Sequence, residues 1–202
     1  MKTEAKTRIL KSGAAVILEK GFLDAGLAEV LNKAGVPKGS FYFYFKSKED
    51  FGLQVVDYFA ERLAETAERF YREETLTPLE RIRGLYRKQA EAFQKNGFLG
   101  GCPIGNLALE MGDRHPEFRK KLEGVIRDLK EKLKGQLELA RERGEIDPAV
   151  DTAEAADFIF NSWEGALLRM KVMHSLAPYE VFDRMVFERL LKGSKRRKRG
   201  KS

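Results

Sequence analysis

The chain has 202 residues, 43% of them hydrophobic and 34% charged, which suits a soluble globular protein: one mid-sized domain, or a small domain joined to a larger one. A single cysteine, Cys102, excludes an internal disulfide, and two widely separated histidines, His115 and His174, leave no metal-binding spacing. The net charge of +7 divides into +5 over residues 1–48, −5 over 49–191 and +7 over 192–202, where KGSKRRKRGKS carries seven basic residues and no acid.

No apolar run approaches the roughly 20 residues needed to cross a bilayer. Met1–Lys6 lacks the apolar stretch of an export signal, so no membrane partner and a cytoplasmic location are expected. The basic N-terminal part is what a nucleic-acid reader needs, because neutralising phosphates dominates such binding.

The spacing of apolar residues predicts helices throughout and no strands. Residues 4–20 form the first, with Ile9, Leu10, Gly13, Val16 and Ile17 on one face, Thr3 as N-cap and Gly21 as stop. A short helix runs from Leu27 to Ala34, with Leu27, Val30, Leu31 and Ala34 inward. After the Gly35-Val36 turn, Pro37 opens another short helix to Phe45, with Phe41 and Phe45 facing the core. Ser47 starts a long helix in the manner of a capping box, its apolar face running through Phe51, Val55, Phe59, Leu63, Ala67 and Phe70. Thr77-Pro78 caps the next. A loop with three glycines, Gly97 to Gly101, leads to Cys102-Pro103 and a helix to about Gly112. His115-Pro116 opens a long charged helix, Asp151 caps the helix of Trp163, and Pro178 opens the last, ending near Leu191. The expected fold class is all-α.

Two short helices joined by Gly35-Val36 and backed by helix 4–20 form a helix-turn-helix pattern. A reading helix needs small or polar residues toward base edges and donors toward phosphates. Lys38, Gly39, Ser40, Tyr42 and Tyr44 meet that need, flanked by Lys46 and Lys48. Spacing alone leaves a second reading open, a helical hairpin with an aromatic core.

The residues here also carry a resemblance. Ile9-Leu10, Glu19-Lys20-Gly21-Phe22, Ala34 to Tyr42 (AGVPKGSFY) and Phe45-Lys46-Ser47-Lys48-Glu49 resemble the N-terminal signature of the TetR family of transcriptional repressors, over about a quarter of the chain. The resemblance implies a homodimer of all-α subunits on a palindromic operator in double-stranded DNA, with an effector pocket in the larger domain. It implies that Lys38, Ser40 and Tyr42 lie against DNA and that Lys48 meets a phosphate. Two positions depart from the pattern: Phe43 stands where histidine is frequent, and Ala25 where Ser or Thr often precedes the second helix. Further on, Gly100 to Ala108 (GGCPIGNLA), Glu110 and Trp163-Glu164-Gly165-Ala166 resemble the branch that includes the NemR-like electrophile sensors and AcuR-like acrylate sensors.

The expected division is therefore a reading domain at 1–47, an effector and dimerisation domain at 48–192 and a basic tail at 193–202, which adds non-specific DNA affinity. For a small-molecule effector, the candidate residues are Phe98, Cys102, Asn106, Glu110, Trp163 and Met170, with Glu164 and His174 as the other polar groups in reach. Cys102 lies at the start of a helix, where the dipole favours negative charge. It is read either as a thiol that senses an electrophilic effector or as a small packing residue beside a reversible ligand. The helices at 151–173 and 178–191 have more apolar faces than one small core can use, and pairing across a two-fold axis would cover the surplus. No catalytic pairing or phosphate-cradling glycine motif is present, so no enzyme and no cofactor are expected. The competing reading is an architectural or RNA-binding helical protein.

Overall fold

A computed structural model describes residues 2–193, and the expectation for the basic tail falls outside them except at Gly193. Every regular element among the described residues is helical: α1 Lys2–Lys20, α2 Leu27–Ala34, a 3₁₀ turn Lys38–Ser40 leading into α3 Phe41–Tyr44, α4 Lys48–Tyr71, α5 Pro78–Lys95, α6 Pro103–Met111, α7 Pro116–Glu142, α8 Thr152–Met173 and α9 Ala177–Met185, which continues as a π turn Val186–Leu190. The all-α class expected from the sequence is the one observed.

The ends of the elements follow from local chemistry. Gly21 adopts φ +87° and its N–H reaches the Ile17 carbonyl at 2.8 Å, which stops α1. Thr3, expected as the cap of α1, lies inside the helix, which begins at Lys2. Ser47 Oγ accepts the Asp50 N–H at 3.1 Å, while the Asp50 carboxylate takes the N–H of Lys46 instead of the cap residue's own. That backbone donor, ahead of smaller contributions, holds the Asp50 carboxyl below its ordinary range. Thr77 and Glu80 form a full reciprocal capping box at α5. Asp151 accepts from Ala153 and Glu154 at α8, and those N–H groups lower its pKa likewise.

The described residues divide into two compact units. One takes the described residues up to Glu68 together with Phe98–Asp128, the other Arg69–Gly97 and the described residues from Leu129 onward. In the first, Ile9, Val16, Val30, Leu31, Phe41, Phe45, Phe51, Val55, Ile104, Leu107, Met111 and Phe118 build one continuous core across α1 to α4, α6 and the start of α7. Glycine permits close approach at two points there. A Cβ on Gly13 would stand 2.2 Å from the Phe51 ring, and one on Gly52 would stand 2.3 Å from Phe22 and 2.7 Å from Phe118. In the second unit, Tyr86, Trp163 and Phe182 stack at 5.1–5.4 Å between centroids, and Asp183 holds Arg83 through two nitrogen contacts of 2.9 and 2.5 Å. Burial pushes the Tyr86 phenol well above its ordinary range, and burial followed by the Asp183 charge pushes Tyr179 to about 12.

Gly52→Ala should force Phe22 and Phe118 apart. Overpacking of this kind costs about 1–3 kcal/mol, and thermal unfolding should show a lowered midpoint.

Candidate nucleic-acid interface and effector helix

The reading head starts from the turn after α2. Gly35, at φ +62°, sends its N–H to Asn32 O, and Val36 sends its own to Leu31 O at 3.0 Å, closing the helix in a left-handed cap. Gly26 is the N-cap of α2 and offers no side-chain bond. Pro37 precedes the Lys38–Ser40 turn rather than entering it. Phe41 and Phe45 are both 1% exposed and pack with Phe51 at 5.1–5.6 Å, so the inward side of this element is a closed aromatic cluster.

The sequence candidates divide by exposure. Lys38, Gly39, Tyr42 and Lys46 are exposed, while Ser40, Tyr44 and Lys48 are half-buried. Tyr42 is 72% exposed, with its ring edge-on to Phe41. Tyr44 packs against the core. The Lys48 ammonium donates to the Leu23 carbonyl at 2.9 Å and sits 5.2 Å above the Phe22 ring. It therefore braces the turn between α1 and α2, and has further donors beyond that bond.

The same turn is gripped from α6. Glu110 Oε2 accepts the N–H of Phe22 and Oε1 the N–H of Leu23, both at 2.7 Å. These are charge-assisted bonds to two backbone donors of the turn that follows α1. Phe118, at the start of α7, stacks on Phe22 at 5.2 Å. The other end of α6 is tied as well. Asn106 Nδ2 donates to the Gly100 carbonyl at 3.1 Å, and Gly100, at φ +87°, lies under Leu18 of α1, where a Cβ would stand 3.2 Å from the Leu18 side chain. Cys102 is the N-cap of α6, half-buried against the core, its Sγ accepting the Gly105 N–H at 3.4 Å. Phe98 is buried with φ +59°, a left-handed conformation uncommon for a bulky residue.

Phe98, Cys102, Asn106 and Glu110 thus fall within the first unit, along α6 and the loop before it, while Trp163 and Met170 belong to α8 in the second. Trp163 lies in the aromatic stack of that unit, Met170 is fully buried, and His174 is the left-handed C-cap of α8 at φ +47°. Along α8 and α9 runs an open apolar groove of about 410 Å³, lined by Phe158, Met173, Val181 and Met185 among others, each about half exposed.

Two placements were not read from the sequence. Glu110 was a ligand candidate, yet both carboxylate oxygens are engaged by a turn 87 and 88 residues away, which no local pattern signals. Phe43, noted only as a departure, is 61% exposed on α3. The inward placement of Phe41 and Phe45 carried that signal, since the residue midway between them must point away.

An all-α chain with such a head is a helix-turn-helix DNA-binding regulator. Residues 9–55 match the family described as bacterial regulatory proteins, tetR family, and residues 78–186 match the tetracyclin repressor-like C-terminal domain. The chain belongs to the TetR family of transcriptional regulators. It is 34% identical over 180 residues to the transcriptional regulator AcuR of Cereibacter sphaeroides, covering 89% of this chain and 82% of that one. It is 32% identical over 187 residues to the transcriptional repressor NemR of Escherichia coli, covering 88% and 90%. The crystal structure of a regulatory protein TetR from Rhodobacter sphaeroides superposes with a TM-score of 0.85 at 33% identity, covering 91% and 97%. Regulators of this family bind DNA operators and small-molecule effectors, typically as dimers. No helix among the described residues is long and apolar enough to cross a membrane.

Glu110→Ala leaves the Phe22 and Leu23 amides without their carboxylate. Hydrogen bonds to a charged group are worth about 1.5–3 kcal/mol each. Amide exchange at Phe22 and Leu23 should therefore accelerate well beyond any change at core amides such as that of Val55.

Proposed function

We propose that this chain is a homodimeric repressor that binds a palindromic operator through residues 1–47 and releases it when a small molecule reaches the 48–192 body. The observation that carries this reading is the Glu110 grip on the α1–α2 turn: α6 and the reading head cannot move independently while both 2.7 Å bonds hold. An effector that displaces α6 then re-aims the head, and a re-aimed head no longer matches its partner across two half-sites about one DNA turn apart. Lys38, Gly39, Ser40, Tyr42, Tyr44, Lys46 and Lys48 are the proposed DNA-facing set, with Tyr44 and Lys48 also holding the head together. The basic 193–202 segment is proposed to add non-specific affinity, and the cytoplasm, where DNA is in reach, is the proposed location.

The dimer is assigned to the helices at 151–173 and 178–191. What supports this is the open groove along α8 and α9, lined by Phe158, Met173, Val181 and Met185, together with Leu168 and Val172 elsewhere on α8, each of the six 47–75% exposed. So many large apolar residues on one pair of helices exceed the scattered exposure normal on a monomer. Sedimentation should give a dimer at micromolar concentration, with Val181→Glu shifting it toward monomer. Selection from a random duplex pool should return one palindrome, and Lys48→Ala should lower the salt slope on it by about 0.9 per subunit if its ammonium also meets a phosphate. A monomer with no preferred sequence defeats the proposal and leaves the architectural reading.

For the effector, we assign a reversible small-molecule ligand beside α6. One observation favours a second reading, covalent capture of an electrophile by Cys102: its sulfur caps α6 and already accepts a backbone N–H, so an adduct there would remove the cap. Support also comes from NemR, whose reduced form was crystallised and is similar to this chain at a TM-score of 0.81 and 28% identity, covering 94% and 99%. Release of operator DNA by a quinone or small aldehyde, abolished in Cys102→Ser, is the result expected of the second reading. Release unchanged by that substitution leaves the ligand reversible.

A further inference from the structure

Phe43 lies on the outward side of the reading element. Phe41 and Phe45 are each 1% exposed and mark the core side of α3 and its end. At about 100° per residue, Phe43 stands roughly 200° round from either of them, on the face opposite the core. Its exposure of 61% follows from that position, and its ring leans edge-on against Tyr44 at 5.1 Å. One turn earlier, Gly39 is exposed, and a side chain built on it would meet nothing within 4 Å. The stripe that a helix-turn-helix head lays toward the floor of the major groove is thus Gly39 and Phe43. Neither has a side-chain donor or acceptor.

Charged donors stand beside the stripe, since Lys38 and Lys46 are both exposed at the two ends of the element. A basic margin around an apolar ridge is complementary to a groove walled by phosphates, so the partner for the Phe43 ring is a base edge. Among base edges in the major groove, only thymine offers an apolar group, its C5-methyl; the other edges present hydrogen-bond donors and acceptors that a phenyl ring would leave dry and unpaired. On the reading that this head binds an operator, we propose that Phe43 is a specificity-determining residue that selects thymine methyl groups near the centre of each half-site. Gly39 lets the backbone approach closely enough for the ring to reach them.

The test changes the DNA before it changes the protein. With an operator obtained by selection, each thymine is replaced in turn by deoxyuridine, which removes the methyl group and keeps every hydrogen-bonding group. Affinity is measured by fluorescence anisotropy for the unaltered chain and for Phe43→Ala. Burying one methyl group corresponds to about a fourfold change in affinity, so symmetric replacement in both half-sites should weaken binding about fifteenfold. The expected result is that loss at one or two positions per half-site, and its absence at the same positions in Phe43→Ala. Because Phe43 is exposed, the variant should keep its helical circular dichroism and melting midpoint. If deoxyuridine has the same effect on both proteins at every position while the operator is still preferred over random duplex, Phe43 is no methyl reader and the operator reading stands. If no sequence is preferred, both fall together.

Discussion

The turn at Phe22 and Leu23 is held from three directions by three kinds of force, and the arrangement of the first unit depends on it. Glu110 supplies charge-assisted hydrogen bonds to the two N–H groups, Lys48 binds the Leu23 carbonyl, and Phe118 presses on the Phe22 ring across the gap left by Gly52. A loop that merely linked α1 to α2 would need none of these. Helix ends leave backbone donors and acceptors unpaired. Here the protein satisfies them with side chains from α4 and α6, so that closing the turn and positioning those helices are a single event.

This explains why the compact first unit does not stop where the helix-turn-helix stops. A head of three short helices encloses too little apolar area to be stable alone. Ile104, Leu107 and Met111 from α6 and Phe118 and Leu122 from α7 complete its core, each no more than 2% exposed. What gives the head its stability is therefore also what makes it sensitive to the helices that carry Cys102, Asn106 and Glu110. On the proposed reading, stability and control come from one set of contacts, and weakening the second without the first would require another way to fill the core.

The legible parts of the molecule were those set by near neighbours in sequence. Gly21 and Gly35 as helix stops, Thr77 and Asp151 as caps, and the inward pair Phe41 and Phe45 all act within four residues, and their physics is visible in the string. Glu110 illustrates the opposite case. Its spacing to Asn106 put both at one stretch of helix, which read as a pair of ligands, whereas each is bonded to a backbone group, Glu110 to the distant α1–α2 turn and Asn106 to nearby Gly100. Nothing in the sequence distinguishes a carboxylate that waits for a ligand from one that grips a turn. Lys48 is similar: the resemblance assigned it to a phosphate, and the bond to Leu23 appears only once α4 is packed. Phe43 was readable from helix period alone.

The short α6 is suited to carrying a displacement because both of its ends are fixed to the head while its middle is apolar. Nine residues span only about 13 Å, too short to bend, so the helix responds as a rod. At its start, Phe98, Gly100 and Gly101 all hold positive φ, and for Phe98 that conformation costs on the order of 1–3 kcal/mol, offset by burying its ring. At its end, the Glu110 bonds are short and directional. A push on Ile104 or Leu107 therefore has no soft joint in which to dissipate. It must either extract Phe98 from its burial or carry the Phe22–Leu23 turn along, with the Phe22 ring that packs on Phe118. On the proposed reading the second motion is the one an effector drives, and the two Glu110 bonds are what pass it to the reading head.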